Sequence, residues 1–190
     1  GWRDTMGDQP VRAVLNTHTH YDHVALNDRF EREYGAEIVN ARTRSLAPEG
    51  ETFEGDRRSC ILLPTPDVHT PDDCVVWFPS DRVLFAGDLR PEKRDLIENV
   101  YEKLIDWAPE CVVPGHGPLC SAAELRRWLV YFRSLIEAVG DAFKEGCDEA
   151  EIADRNPPPE DMADWWRFRD WKHADTLKKI VTAYRKGLLA

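Results

Sequence analysis

The 190-residue chain has no paired CxxC spacing, no run of about 18 apolar residues and no excess of basic charge. Its five cysteines, Cys60, Cys74, Cys111, Cys120 and Cys147, stand singly and form no even framework, so they read as reduced, mostly buried thiols of a cytosolic protein. Without a long apolar run, no membrane-spanning helix and no membrane partner are expected. The opening "GWRDTMGDQP" lacks the apolar centre of a secretory signal. Lys and Arg number 25 against 35 Asp and Glu, and the formal net charge of −10 gives no electrostatic footprint for nucleic acid. What is present, 42% hydrophobic and 32% charged residues, fits one soluble globular domain. A chain of this length buries roughly 70% of its unfolded surface, enough for a core without disulfide staples.

Apolar runs alternate with helical patterns over the first two-thirds of the chain. "VRAVLNT" (Val11 to Thr17) reads as a buried strand that ends at the first histidine. Val24, Leu26, Phe30 and Tyr34 are spaced for a helix from Asp22 to about Tyr34, which Gly35 terminates. "AEIVN" is a second strand; after a charged loop, "SCILLPT", "CVVWFP" and "RVLFAGD" give three more, separated by Pro-rich or Asp-rich turns. Glu92 to Ala108 is expected to be helical, and "CVVPGHG" is a short strand breaking into a glycine-flanked turn. Strands alternating with helices predict an α/β layered domain. From Ser121 onward the pattern is helical, interrupted by "NPPP" at Asn156 to Pro159.

The chemistry concentrates in "LNTHTHYDH", Leu15 to His23, which holds three of the six histidines and an aspartate. Imidazole is a metal ligand and a proton carrier near neutral pH, so this crowding points to a bound cation. Residues two apart on extended backbone face the same way, so His18 and His20 can grip one ion. Asp22 and His23 come next, at the start of the predicted helix, and present further donors to the same cavity. Three later donors share a context: His69 in "PDVHTPDD", Asp88 in "FAGDL" and His116 in "PGHGP" each lie just past an apolar run. In an α/β layered protein, loops at strand ends converge on one rim, where sites are built. Five histidines and two aspartates suit two borderline cations such as zinc, each keeping a position open to solvent. Taken alone, His69 would read as an ordinary hydrogen-bonded residue. His173 in "WKHAD" has no companion donors and is assigned a structural role.

The ordered set "HTHYDH", "HTPDD", "GDL" and "PGHG" resembles the metallo-β-lactamase-fold hydrolase superfamily from about Val11 to Pro118. The tail segment "LRRWLVYFRSLIEAV" is similar to the helical segment after the last histidine in zinc hydrolases of the quinoprotein relay type. The resemblance implies an αββα sandwich, with a partial metal-binding domain over residues 1–120 and a helical extension over 121–190 packed on it. It implies that His18, His20 and His69 hold a first metal, that Asp22, His23 and His116 hold a second, and that Asp88 bridges them. A hydroxide shared by two cations would be the nucleophile, with Asp22 orienting it or receiving its proton. Zinc is the expected metal, with iron or manganese as alternatives.

Two departures shape the expected function. The β-lactamases of the superfamily typically carry cysteine or serine where Asp88 stands, so antibiotic hydrolysis is not the expected activity. Aspartate there resembles the thioesterase, lactonase, sulfatase and phosphodiesterase branches. Family members also carry several strands and a helix before the first ligand strand, whereas ten residues precede Val11. The expectation is an N-terminally truncated sandwich whose apolar sheet face needs a second copy, or a complementing chain, to supply strands.

In "DWWRFRDWKH", Asp164 to His173, helical spacing puts Trp165, Phe168 and Trp171 on one face, as core packing or as a wall of the substrate pocket. The leading functional reading is a binuclear metal-dependent hydrolase acting on an ester, thioester, lactone or related small molecule. The alternatives are a mononuclear iron enzyme oxidising a thiol or persulfide, and a non-catalytic binding module in which metal is structural.

Overall fold

Two sheets and a set of helices account for residues 7, 9–89 and 94–189, which the computed structural model of the chain describes, with backbone alone over 94–97. β1 (Ala13–Leu15) and β2 (Glu37–Val39) pair in parallel, and α1 (Tyr21–Val24) and α2 (Asn27–Tyr34) form the crossover between them. The second sheet has five strands in sequence order: β3 (Glu51–Glu54), β4 (Ser59–Pro64), β5 (Cys74–Phe78), β6 (Val83–Gly87) and β7 (Cys111–Pro114). Its pairs are antiparallel up to β6; β6 and β7 are parallel, connected through α3 (Arg94–Asp106). The start of the predicted helix at Glu92 lies outside the described residues. The chain ends in α4 (Ala122–Lys144), α5 (Glu149–Arg155), a 3₁₀ turn (Glu160–Met162), a π-helical turn (Phe168–Lys172) and α6 (His173–Arg185). No helix among the described residues is long and apolar enough to cross a membrane, and all five cysteines are free thiols.

The period of two in β4 and β5 sorts their side chains into two cores. Cys60, Leu62, Cys74 and Val76 face the small sheet, where Val39 completes a cluster that Ala13 and Leu15 pack against. Leu63, Val75 and Trp77 face the other way and join Tyr101 of α3, Phe132 of α4 and Ile180 of α6 in the larger core. The sheet therefore lies between the small sheet and the C-terminal helices, in the α/β layering read from the sequence. Ser121 fixes where the tail begins: its hydroxyl accepts from the Ala123 amide at 3.2 Å while Glu124 Oε2 accepts from the Ser121 amide at 2.9 Å, a capping box.

The structure corrects three local expectations. The helix from Asp22 to Tyr34 is broken at Ala25–Leu26, because the His23 carbonyl accepts from Asn16 Nδ2 at 3.3 Å instead of continuing the helical ladder; Gly35, at φ 65°, does terminate the second piece. The charged loop contains β3, an edge strand whose one apolar residue, Phe53, points inward, too little periodicity to be read from sequence. Asp164 to His173 is not one α-helix: Arg167 turns left-handed at φ 55° and a π-helical turn comes after it.

Among the described residues no strand lies on the outer edge of β1. A groove of about 780 Å³ runs there, lined by Ala13, Leu15, Phe53, Val76, Phe78 and Phe85. Phe85 is 39% exposed although Leu84 and Ala86 beside it are buried.

Candidate metal centre

The donors come from loops at the ends of four strands. Beyond β1 the chain bends at Thr17 and buries His18, which is 1% exposed, and His20 precedes α1 with extended backbone at φ −64°, ψ 148°. The spacing of two then brings His18 Nε2 to 3.1 Å from His20 Nδ1, and His69 Nε2, from the loop after β4, reaches the same His20 nitrogen at 3.2 Å. His23 of α1, His116 from the loop after β7 and Asp22 form a neighbouring group: Asp22 Oδ2 is 3.1 Å from His116 Nε2 and 3.6 Å from His23 Nε2. Asp88, just past β6, lies between the groups. Its Oδ1 is 3.7 Å from His23 Nε2, and its Oδ2 is 3.4 Å from His116 Nε2 and 3.8 Å from His69 Nε2. All seven donors picked from the sequence are thus together, and they subdivide into His18–His20–His69, His18–His23–Asp88 and Asp22–His23–His116.

Divalent cations fit this donor set. Two ligand atoms about 2.05 Å from a tetrahedral ion are about 3.3 Å apart, close to the separations in the three-histidine group. The chain of three ring nitrogens centred on His20 Nδ1 cannot be satisfied fully by that nitrogen's single proton, whereas three lone pairs on one cation satisfy all. Asp88 Oδ1 is buried with no hydrogen-bond partner among the described residues. A buried carboxylate oxygen without a donor is costly, and a cation removes that cost.

Electrostatics keep the donors in their ligating forms. Burial, helped by the adjacent His23 ring, pushes the His18 pKa down to about 4. Burial likewise sets His69 at about 4. Both rings are therefore neutral above mildly acidic pH, with lone pairs available. Some loss of solvent raises the Asp22 pKa, but its own backbone amide and the His23 and His116 rings outweigh this and hold it below the usual carboxylate value.

Residues without an evident role in the sequence hold the donors in place. Asn16, buried beside His18, donates to the His23 carbonyl and to Asn27 Oδ1, and accepts from Asn27 and from Asn40 at 2.9 and 3.2 Å, tying β1, α1, α2 and β2 together. Asp73 accepts from the His69 and Thr70 amides and from the Thr70 hydroxyl, which pins the His69 loop. Gly87 at φ 61° and Gly115 are forced by close approach: a Cβ on the first would meet Thr17 at 2.8 Å. Asn16 and Asp73 lie inside the histidine-bearing motifs, but nothing in their spacing separates a positioning role from a surface one.

His173 is structural, as its isolation implied: its Nδ1 pairs with the Tyr131 hydroxyl and its Nε2 with the Asn156 carbonyl, both at 2.8 Å. The aromatic stripe divides. Phe168 is wholly buried in the core, while Trp165 stacks on Trp128 and lines two cavities beside His116, of about 100 and 580 Å³. Lys172, which the sequence gave no reason to single out, lines both cavities too.

The family model described as the metallo-beta-lactamase superfamily matches residues 5–59 and 44–172, and the chain belongs to that superfamily. Over 96 residues it is 34% identical to a hydroxyacylglutathione hydrolase of Methylococcus capsulatus, covering 46% of this chain and 34% of that one. A hydroxyacylglutathione hydrolase of Rhizobium etli is 27% identical over the same 46% and 34% shares. The chain thus spans about a third of the length of these curated relatives. Among solved structures, a stereoselective inverting sec-alkylsulfatase from Pseudomonas sp. superposes with a TM-score of 0.70 at 14% identity, over 96% of this chain and 42% of that one. A metallo-beta-lactamase from Pontibacter korlensis gives 0.53 at 23% identity, over 68% and 72%. These likenesses establish the metallo-β-lactamase fold.

Proposed function

We propose that the chain is a metal-dependent hydrolase that binds two divalent cations, zinc foremost, and cleaves a small-molecule thioester or a related ester or lactone. The observation that carries this reading is Asp88, whose two oxygens reach toward His23, His69 and His116 and of which one has no other partner. His18, His20 and His69 would hold one ion, Asp22, His23 and His116 the other, and Asp88 both. Bound there, the ions would polarise the scissile carbonyl and lower the pKa of water to near neutrality. The thioester class is favoured by the hydroxyacylglutathione hydrolases among the relatives.

The protein's own groups supply the rest. His18 and His69, neutral because they are buried, need not lose a proton before binding metal. Asp22, ionised and with a 56% exposed side chain, turns Oδ2 to the two histidines, which leaves Oδ1 to take a proton from water. Trp165 and the tail form a wall of the cleft beside His116, where a substrate would lie.

The test is metal content per chain after purification without chelator, together with thioester hydrolysis before and after chelation. About two ions per chain, with turnover lost on chelation and restored by zinc, manganese or iron, is the expected result. A single iron with oxygen consumption on a thiol substrate would replace this reading by the mononuclear oxidising enzyme. Full, tightly held metal without turnover would point to the structural module, and a stoichiometry well below one after remetallation would end the metal reading.

A further inference from the structure

We infer that Asp72 is a positioning residue of the metal centre: it holds the Thr19 side chain away from the cavity and so keeps His18 and His20, on either side of Thr19, facing the first cation. The inference rests on the two-cation reading above. It adds a residue that lies outside all three donor groups.

The backbone brings the two segments together. The Cys74 amide donates to the Thr17 carbonyl at 2.6 Å, one residue before His18. An antiparallel continuation of this pairing, two residues along one segment and two back along the other, sets Thr19 opposite Asp72. His18 Nε2 and His20 Nδ1 approach to 3.1 Å, so both rings face one side of their segment. Side chains alternate along extended backbone, and Thr19 between them faces the other side.

The Asp72 carboxyl registers that neighbour. Asp72 is 5% exposed, and loss of solvent raises its pKa, yet the Thr19 hydroxyl first and the Arg42 guanidinium after it more than offset this and hold it below the usual carboxylate value. Arg42 Nη2 donates to Asp72 Oδ1 at 3.0 Å. Arg42 is itself fixed: its amide donates to Asn40 Oδ1 at 3.0 Å, and Asn40 Nδ2 donates to Asn16 Oδ1 at 3.2 Å. The clamp therefore runs from the loop after β2 through Arg42 and Asp72 to Thr19, in the middle of the histidine pair.

The two adjacent aspartates of "HTPDD" divide the support of the three histidines. Asp73 accepts from the His69 and Thr70 amides, and Asp72 serves the segment that carries the other two. Packing alone gives little reason for a carboxylate at this place. Asp72 Oδ2 is buried with no hydrogen-bond partner among the described residues, which costs stability. Local rules of this kind are broken where a site requires it. Released from Asp72, Thr19 is free to turn inward, and the facing of His18 and His20 is no longer fixed.

Zinc affinity, measured by competition with a metallochromic chelator, is compared in two backgrounds of the full chain. His116→Ala leaves the His18–His20–His69 group whole, and His69→Ala leaves the Asp22–His23–His116 group whole. Asp72→Ala should weaken zinc about 10- to 100-fold in the first background and leave it unchanged in the second. Thr19→Val should reproduce the loss, and the two substitutions together should lose no more than either alone. Asp72→Asn still offers an oxygen to Thr19 and gives up only an ion pair with the exposed Arg42, so it should keep the affinity within about threefold. Cobalt in place of zinc gives a second readout: its visible absorption reports ligand geometry, and should shift in Asp72→Ala and return in Asp72→Asn. Thermal melting of the metal-free chain checks folding; where Asp72→Ala does not fold, Thr19→Val and Asp72→Asn decide. Unchanged affinity in the first background, or an equal loss in both, overturns the inference, because general loosening would weaken both groups alike. No zinc in either background overturns the two-cation reading and this inference with it. A loss confined to the first background, in a chain that turns over no thioester, overturns the hydrolase reading and upholds the role of Asp72.

Discussion

A Cβ on Gly115 would lie 2.0 Å from Asp88 Oδ1 and 3.0 Å from His23 Cε1, so the glycine before His116 is what lets the Asp88 carboxylate sit between the histidines. The Gly115 amide donates to the Gly87 carbonyl at 2.9 Å, which fixes the two loops against each other, so it is the carboxylate that must give way. Gly115→Ala should therefore displace Asp88 and weaken metal binding about 10- to 100-fold, the usual range for disturbing the support of a metal site. Competition with a metallochromic chelator measures this, and unchanged affinity would show that the loops can part.

Asp88→Asn keeps the shape of the side chain and removes the charge that would offset the two adjacent cations of the proposed centre. Fewer than two ions per chain and a loss of thioester turnover of at least about 100-fold are expected. Metal analysis and a steady-state assay on one preparation decide it. Unchanged occupancy with unchanged turnover would remove Asp88 from the shared position.

The candidate site was legible in the sequence to the extent that the convergence of its donors obeys short-range geometry. The two-residue spacing of His18 and His20 and the place of His69, Asp88 and His116 after apolar runs carry their convergence, because strand ends share a rim. The period of two in "SCILLPT" and "CVVWFP" likewise carries the central layer. The illegible part depends on contacts distant in sequence. Asn16 breaks a helix by taking the His23 carbonyl, which no local pattern encodes. Trp165 to Lys172 looks amphipathic in helical spacing, yet a left-handed Arg167 overrides the pattern and sends Phe168 into the core and Trp165 to the cleft wall. Local propensity loses there to tertiary packing.

Alkaline pH should destabilise the fold through its buried acids. Burial pushes the Cys74 thiol up to about 12 and Cys120 to about 11, and raises the Tyr131 phenol well above its ordinary value. Each group loses its proton in the unfolded chain first, so the unfolded state gains stability once the pH exceeds about 9 for the thiols and about 10 for the phenol. Their contribution is constant below about pH 9 and declines as the pH rises from there toward about 12. Denaturant titrations at about pH 8, 9.5 and 10.5 should show a falling midpoint, with Cys74→Ala flattening the fall. A midpoint that does not change across that range would contradict the burial of these groups.

The apolar groove along β1 gives the last expectation. Phe85 stands 39% exposed between buried neighbours, and β1 is paired on one edge only among the described residues. Covering the apolar lining of one such groove is worth about 4 kcal/mol at about 25 cal/mol per Å², a substantial part of the net stability of a domain. A strand edge is also a ready template for a like edge, and two copies related by a two-fold axis could join β1 to β1 and shield both grooves together. We therefore expect a concentration-dependent dimer in sedimentation, with Phe85→Glu held as a monomer of similar melting temperature. A hydrophobic dye that fluoresces on apolar surfaces should bind the monomer of Phe85→Glu less well than the dilute wild-type monomer, because the substitution puts a charge in the groove. A compact wild-type monomer at every concentration that also ignores the dye would rule out the pairing and show the groove to be filled from within the chain.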